Sequence, residues 1–332
     1  MKNTRLLSIL LVLVMSLCMI SVASAEADMP KVGYCISLMS HEWYQNIKKG
    51  AEARAAELGV ELVLADGNND SSTQITMCEN LLAQGIDVLV VTPVDNQVLG
   101  SIIVQANELG VPVITESNVV EGAASYVGID NELSGKLAGL WLGEYAAANG
   151  ITPNVLVVGY PAAADCRMRV SGFLAGLEES GIEYTIAQEI DGKGLKDTVV
   201  ERATDALTAH PDVNCIFGIN DDSTTGAMQA YKAAGLDESK LTAIGFGFEG
   251  AVGQNALLSG GPYKSALAMF PNYVGVGLID ASVMAFKGED LPEWYQTPTV
   301  MVTAENFDTY YNEVEDGYAI DFDAVRVLQD AL

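Results

Sequence analysis

Positive charge is what this sequence has least of: 17 Lys plus Arg stand against 44 Asp plus Glu in 332 residues, a formal net charge of −27. That excludes a nucleic-acid binder, because neutralising phosphates requires a basic excess. Histidine is scarcer still. His41 and His210 are the only two and lie far apart, which excludes a histidine-rich metal site. After residue 25 the cysteines are Cys35, Cys78, Cys166 and Cys215, too few and too dispersed for a disulfide scaffold or a metal-binding pattern. Cys35 and Cys215 sit in apolar runs and read as small buried hydrophobes, while a Cys35–Cys78 bridge remains open. The stretch Asp66–Asp70 fails as a calcium loop, since Ser71 stands where glycine is needed and Met77 where glutamate is needed. A nucleophile elbow, a P-loop and a dinucleotide fingerprint are all missing. No enzyme, no cofactor and no metal are therefore expected.

Long apolar runs are also missing, with one exception. Leu6 to Ile20 follows the basic Lys2 and Arg5 and precedes Ala23-Ser24-Ala25, the three parts of an export signal. At about 15 residues the run is short for a membrane span, which needs roughly 20. Residues 1–25 are read as a signal peptide that is removed, with a retained anchor as the alternative. Leu17 before Cys18 is too large for a lipidation site, so a lipid anchor is not expected. What is present is a chain that is 49% hydrophobic and 18% charged, rich enough in apolar residues to fold and long enough for two domains.

From residue 31 short β-branched runs alternate with helical patterns, the mark of a parallel sheet covered on both faces. Strands are expected at 31–38, 60–65, 87–92 and 111–115, with helices at 42–58, 72–83 and 97–109 between them. Gly59, Gly85 and Gly110 punctuate the helix ends, where glycine takes the left-handed conformation at no steric cost. The pattern restarts near residue 125 as a second doubly wound sheet, with strands at 126–129, 155–158, 183–187, 213–219, 241–246, 263–269 and 298–303. The aromatic, acidic residues after Thr303 read as one or two short helices packed on the surface. The fold class is thus α/β, with two Rossmann-like lobes. In such sheets ligands sit beyond the carboxyl ends of the strands.

The segments at those ends carry a resemblance. Val32-Gly33-Tyr34-Cys35-Ile36-Ser37 with Trp43-Tyr44, Thr92-Pro93-Val94-Asp95, Gly110-Val111-Pro112-Val113-Ile114-Thr115 and Gly128-Ile129-Asp130-Asn131 come in order, followed by Arg167-Met168-Arg169, Phe217-Gly218-Ile219-Asn220-Asp221 and Gly245-Phe246-Gly247. Together they resemble the periplasmic-binding-protein type I family, in its ribose/galactose-like sugar-binding branch that serves ABC transporters. The resemblance implies two lobes, 31–129 plus 270–297 and 130–269 plus 298–332, joined by a three-segment hinge near 116–130, 247–270 and 296–300, with a ligand cleft between them.

It also implies a set of cleft residues: Ser37, His41, Trp43, Tyr44, Glu116, Ser117, Asn118, Arg167, Arg169, Asn220, Gly247 and Met269. Aromatic rings at 43 and 44 can stack on the apolar face of a sugar or a flat heterocycle, although the pair also suits one core and one surface residue. Arg169 offers five fixed donors; an ion pair with Asp165 or Asp221 is its other role. Where the family carries charged or amide ligand contacts, this chain has Ser117, Asn118, Gly247 and Met269, so a roomier pocket is expected, with Glu116, His41 and Glu249 supplying replacement contacts. The implied function is that of an exported, monomeric solute-binding protein, periplasmic or surface-associated, which binds a small sugar-like ligand and delivers it to an ABC permease. A ligand-sensing receptor for a membrane signalling partner, or a binder of a nucleoside-like ligand, are the alternatives.

Overall fold

The computed structural model describes residues 29–332; the expected signal segment and Cys18 lie outside the described residues. Two six-stranded sheets form the frame. The first has the order β2 (Glu61–Asp66), β1 (Lys31–Ile36), β3 (Val88–Val91), β4 (Val113–Glu116), β5 (Ser125–Gly128), β11 (Trp294–Gln296). All its pairings are parallel. Helices α1 (Glu42–Leu58), α2 (Ser71–Ala83), α3 (Gly100–Glu108) and α9 (Pro271–Lys287) accompany it. Short all-buried strands such as Val88–Val91 have no polar face because helices cover both sides of the sheet.

The second sheet has the order β7 (Thr185–Asp191), β6 (Asn154–Gly159), β8 (Cys215–Gly218), β9 (Thr242–Gly247), β10 (Tyr263–Ala268), β12 (Val300–Thr303). Its helices are α4 (Asn131–Asn149), α5 (Ala164–Ser180), α6 (Lys196–Ala209), α7 (Asp221–Ala233) and α8 (Ala251–Leu258). Edge strand β12 runs antiparallel to β10, a departure from a purely parallel sheet. The chain turns straight back from β11 in the other lobe and reaches this edge without a crossover helix.

Three expectations are corrected. The strand near residue 125 belongs to the first sheet, where β5 pairs with β4 and β11; pattern alone cannot tell which sheet a strand joins. Strand β7 runs Thr185–Asp191, later than 183–187, because this largely exposed edge strand carries little apolar signal. The segment after Thr303 holds the short helix α10 (Phe307–Tyr310), a hairpin of β13 (Tyr311–Val314) and β14 (Gly317–Ile320), and helix α11 (Phe322–Gln329). Its rings build a core of their own: Phe248 meets Phe307 and Tyr311 edge-on, and Phe307 stacks on Tyr311 at 5.0 Å.

The paired helices of each lobe approach closely through glycine. Along α4 and α5, a Cβ on Gly135, Gly139, Gly172 or Gly176 would strike the backbone of the opposite helix at Arg169, Phe173, Glu132 or Lys136. In the first lobe Gly50 and Gly275 do the same for α1 and α9. Cys35, Cys78, Cys166 and Cys215 are all buried and free, so the Cys35–Cys78 pair is unbridged.

The chain crosses between sheets at 129–130, 269–270 and 297–299. Asp130 caps α4 by accepting from Leu133 N at 2.9 Å, and Pro271 starts α9 immediately after Phe270, whose φ is 48°. Near the third crossing the Thr299 and Ser134 hydroxyls lie 3.0 Å apart. Trp43, at the start of α1, packs against the cores of both lobes. Asn46 Nδ2 donates across to the Glu249 carbonyl at 2.8 Å.

Candidate functional site: an acidic cleft between the lobes

The carboxyl ends of β1, β3 and β4 face those of β8, β9 and β10 across a cavity of about 280 Å³. Ten of the twelve residues expected in the cleft line it: His41, Trp43, Tyr44, Glu116, Ser117, Asn118, Arg169, Asn220, Gly247 and Met269. Two do not. Ser37 is buried beneath the site beside the Tyr44 side chain. Arg167 points away; its Nη1 donates to the Pro161 carbonyl at 2.7 Å, and it borders a separate surface pocket with Tyr160 and Glu189. On α5, Asp165 and Arg169 are one turn apart and share a face, whereas Arg167, two residues from each, lies on another.

Each wall has a local cause. His41 caps α1, with Nδ1 accepting from Trp43 N at 3.2 Å, and this start of the helix presents Trp43 and Tyr44 to the cavity. Ser117 takes a φ of 61° just after β4, and its hydroxyl donates to Glu116 Oε1. Asn220 caps α7: its Oδ1 accepts from Ser223 N at 2.8 Å, and its Nδ2 donates to the Gly194 carbonyl at 3.1 Å. Gly247 has a φ of 100°, with no atom nearer than 3.9 Å to a would-be Cβ. The backbone, not lack of space, disfavours a side chain there.

Thr92, Asp165 and Glu249 also line the cavity, although they were not among the expected set. Thr92 could have been found from its place immediately after β3. Asp165 was visible only as an ion-pair partner for Arg169, and Glu249 only as a replacement contact.

Arg169 organises the second-lobe wall. Its Nε donates to Asn131 Oδ1 at 2.9 Å, Nη1 to the Ile219 carbonyl at 3.0 Å and Nη2 to Asp165 Oδ2 at 3.3 Å. The guanidinium lies over the Phe246 ring, 4.7 Å from its centroid. Three of five N–H donors are thus committed, and two remain for the cavity that Arg169 lines. Both roles expected of this residue, structural ion pair and cleft donor, are compatible with this geometry.

The acids are less well compensated. Glu116 shows no surface to solvent, and its Oε2 finds no hydrogen-bond partner among the described residues. Burial pushes its pKa up to about 7, against the pull of the Ser117, Thr92 and Trp43 side chains. Thr92 and Trp43 stand near without completing a bond to Oε2; the Thr92 hydroxyl is already 2.9 Å from that of Tyr34. Glu249 rises to about 8 through burial and the neighbouring charges of Asp221 and Glu42. Asp221, just outside the cavity, rises to about 7, again through burial, although its Oδ1 accepts from the Tyr263 hydroxyl at 2.5 Å. Tyr44 is pushed up to about 12, by burial and then by Glu116.

These raised carboxyls hold protons in the folded chain that unfolding would release, so stability falls as pH rises between the two sets of values. Scanning calorimetry should show the contribution of these groups to Tm declining from roughly pH 4 to roughly pH 8 and flat above it, the window set by Glu116, Asp221 and Glu249. Glu249→Gln should flatten the upper part of the decline. A Tm that climbs from pH 5 to 8 would contradict this assignment.

With this geometry in place, comparison with known proteins decides the family. The periplasmic binding protein domain matches residues 32–290. The chain belongs to that family. The ribose import binding protein of Escherichia coli K12 is 26% identical over 276 residues, spanning 82% of this chain and 90% of its own. An ABC transporter solute-binding protein from Mycobacterium smegmatis, solved with bound glycerol, superposes with a TM-score of 0.75 at 26% identity, covering 89% of this chain and 100% of its own. The Caulobacter myo-inositol binding protein, solved with myo-inositol, gives 0.71 at 26% identity, covering 84% and 94%. The protein is accordingly a solute-binding protein of the ABC-importer kind, with a non-catalytic role in transport outside the cytoplasm. Among the described residues no group of three His, Cys, Asp or Glu could hold a metal ion. No helix among them is long and apolar enough to cross a membrane.

Proposed function

We propose that the protein binds a small sugar, polyol or similar polyhydroxylated ligand in the cleft and hands it, as a monomer, to an ABC permease after export and removal of residues 1–25, without a lipid at Cys18. One observation carries this reading: a polar cavity of about 280 Å³, walled by aromatic Trp43 and Tyr44 on one lobe and by Arg169 and Asn220 on the other. Relatives named for ribose and for myo-inositol support the ligand class. Rings can cover the apolar face of a pyranose or cyclitol while charged groups bond its hydroxyls. The lobes close because only the closed arrangement completes both sets of contacts. Ligand sensing would use the same closure.

A thermal-shift screen on refolded, ligand-stripped protein tests the reading, since a tight ligand raises Tm by mass action. Pentoses, hexoses, deoxy sugars, inositols, sugar acids and nucleosides form the panel. A shift of several degrees with a sugar or inositol is expected. A shift with nucleosides alone would overturn the carbohydrate assignment. Trp43→Ala should lower affinity for the best sugar about tenfold, the scale of one lost aromatic contact of about 1.5 kcal/mol. Unchanged affinity in calorimetry would remove Trp43 from the binding surface.

A further inference from the structure

The charge balance of the cleft points to a narrower class of ligand, an inference that rests on the carbohydrate reading above. Three carboxylates line the cavity, Glu116, Asp165 and Glu249, against a single guanidinium, Arg169. Arg169 is already paired with Asp165. Among the described residues Glu116 and Glu249, one from each lobe, form no ion pair; Arg169 acts on Glu249 only as a neighbouring charge. Glu116 is fully buried with Oε2 unpartnered. The Glu249 carboxylate accepts no hydrogen bond among the described residues, and three acids, Asp221 and Asp222 from α7 and Glu42 from α1, surround it against the one opposing charge of Arg169 from α5. Around Glu116 the Ser117, Thr92 and Trp43 side chains favour its charged form, while Asp165 opposes it and Tyr34 and Tyr44 stand close by without bringing a positive charge.

A neutral sugar entering this cavity gives neither carboxyl a charged partner, so each stays partly protonated or carries an unanswered charge. A ligand that brings its own positive charge answers them directly. An ammonium has three donors and no acceptor, which suits a carboxylate oxygen that lacks a donor. Trp43 and Tyr44 would at the same time cover the ring that carries it, and aromatic faces attract cations. We propose that the cleft is built for a polyhydroxylated ligand bearing a protonated amine, an amino sugar or aminocyclitol, whose ammonium lies between Glu116 and Glu249.

Titration calorimetry at pH 7.5 on the ligand-stripped protein tests this with matched pairs: D-glucosamine and D-glucose, D-galactosamine and D-galactose, D-mannosamine and D-mannose, each with its N-acetyl derivative. At least one amine should bind tenfold or more tightly than both its hydroxyl parent and its uncharged N-acetyl form. Glu116→Gln and Glu249→Gln should each reduce that ratio at least fivefold. The preference should also weaken at pH 5.5, where Glu116 and Glu249 hold protons. The wild-type ratio stands as a test even if a variant fails to fold. Parents that bind as tightly as their amines overturn the inference and leave the carbohydrate reading intact. Failure of every sugar here, charged or neutral, overturns this inference, and the carbohydrate reading falls with it only if the pentoses, polyols and inositols of the wider panel fail as well.

Discussion

Arg169→Met is expected to weaken binding of the best sugar in the panel at least 100-fold, with a smaller loss of stability. The side chain spends three donors on Asn131, Ile219 and Asp165 and keeps two for the cavity. Hydrogen bonds from a charged group are worth about 1.5–3 kcal/mol each, and two of them at the lower bound already make about 3 kcal/mol, or a hundredfold in affinity. Methionine preserves the packing over Phe246, so lost binding cannot be put down to a collapsed wall. It also leaves Asp165 without its partner, which adds a third uncompensated carboxylate to the cleft. Calorimetry on the variant, with a thermal melt to show that it folds, makes the measurement. Affinity within threefold of the parent would mean that Arg169 serves only as an ion pair.

Gly172→Ala carries the second large effect, on stability. The added methyl would occupy the space of the Glu132 carbonyl on α4 and crowd Lys136 N, both backbone atoms that cannot swing aside. Separating α4 from α5 would loosen the core around Phe173 and Leu177 and shift the carbonyl and side chain of Arg169. Overpacking of this kind costs about 3 kcal/mol, the upper part of its usual range. Gly100→Ala supplies the contrast: it begins α3 with nothing within 4 Å of an added Cβ, so it should be neutral or slightly stabilising through helix propensity. Urea denaturation of the two variants reads the difference. Equal midpoints would show that the helix pair can part without cost.

Much of this architecture was legible because parallel α/β units write themselves twice, once as apolar strands and once as glycine stops. Gly59, Gly85 and Gly110 do lie in the left-handed region, with φ of 76°, 68° and 74°. The carboxyl-end rule led to Glu116, Asn220 and Gly247 without knowledge of any contact. What stayed hidden depends on three dimensions. Strand β5 reads as the first strand of a new sheet, yet its hydrogen bonds go back to β4. The tail after Thr303 has the composition of a surface helix, but Phe307, Tyr311 and Tyr318 bury one another and fold a hairpin. Arg167 and Arg169 are equivalent in a motif and differ on a helix, where two residues of separation put them on different faces. Glu116 and Glu249 could be named as cleft contacts, but that they line one cavity without an ion pair depends on how the two lobes face each other.

The central claim is that a carbohydrate is held against Trp43 between the lobes. Trp141→Phe and Trp294→Phe together leave Trp43 as the only tryptophan, at a point where both cores and the cavity meet. Emission from this single-tryptophan protein should be titrated with the panel sugars, their amines and nucleosides. A saturable change in emission with a sugar, an amino sugar or an inositol, at a midpoint matching the calorimetric affinity, is the predicted result. Sugar binding seen by calorimetry with no change at Trp43, or a response to nucleosides alone, would contradict the account.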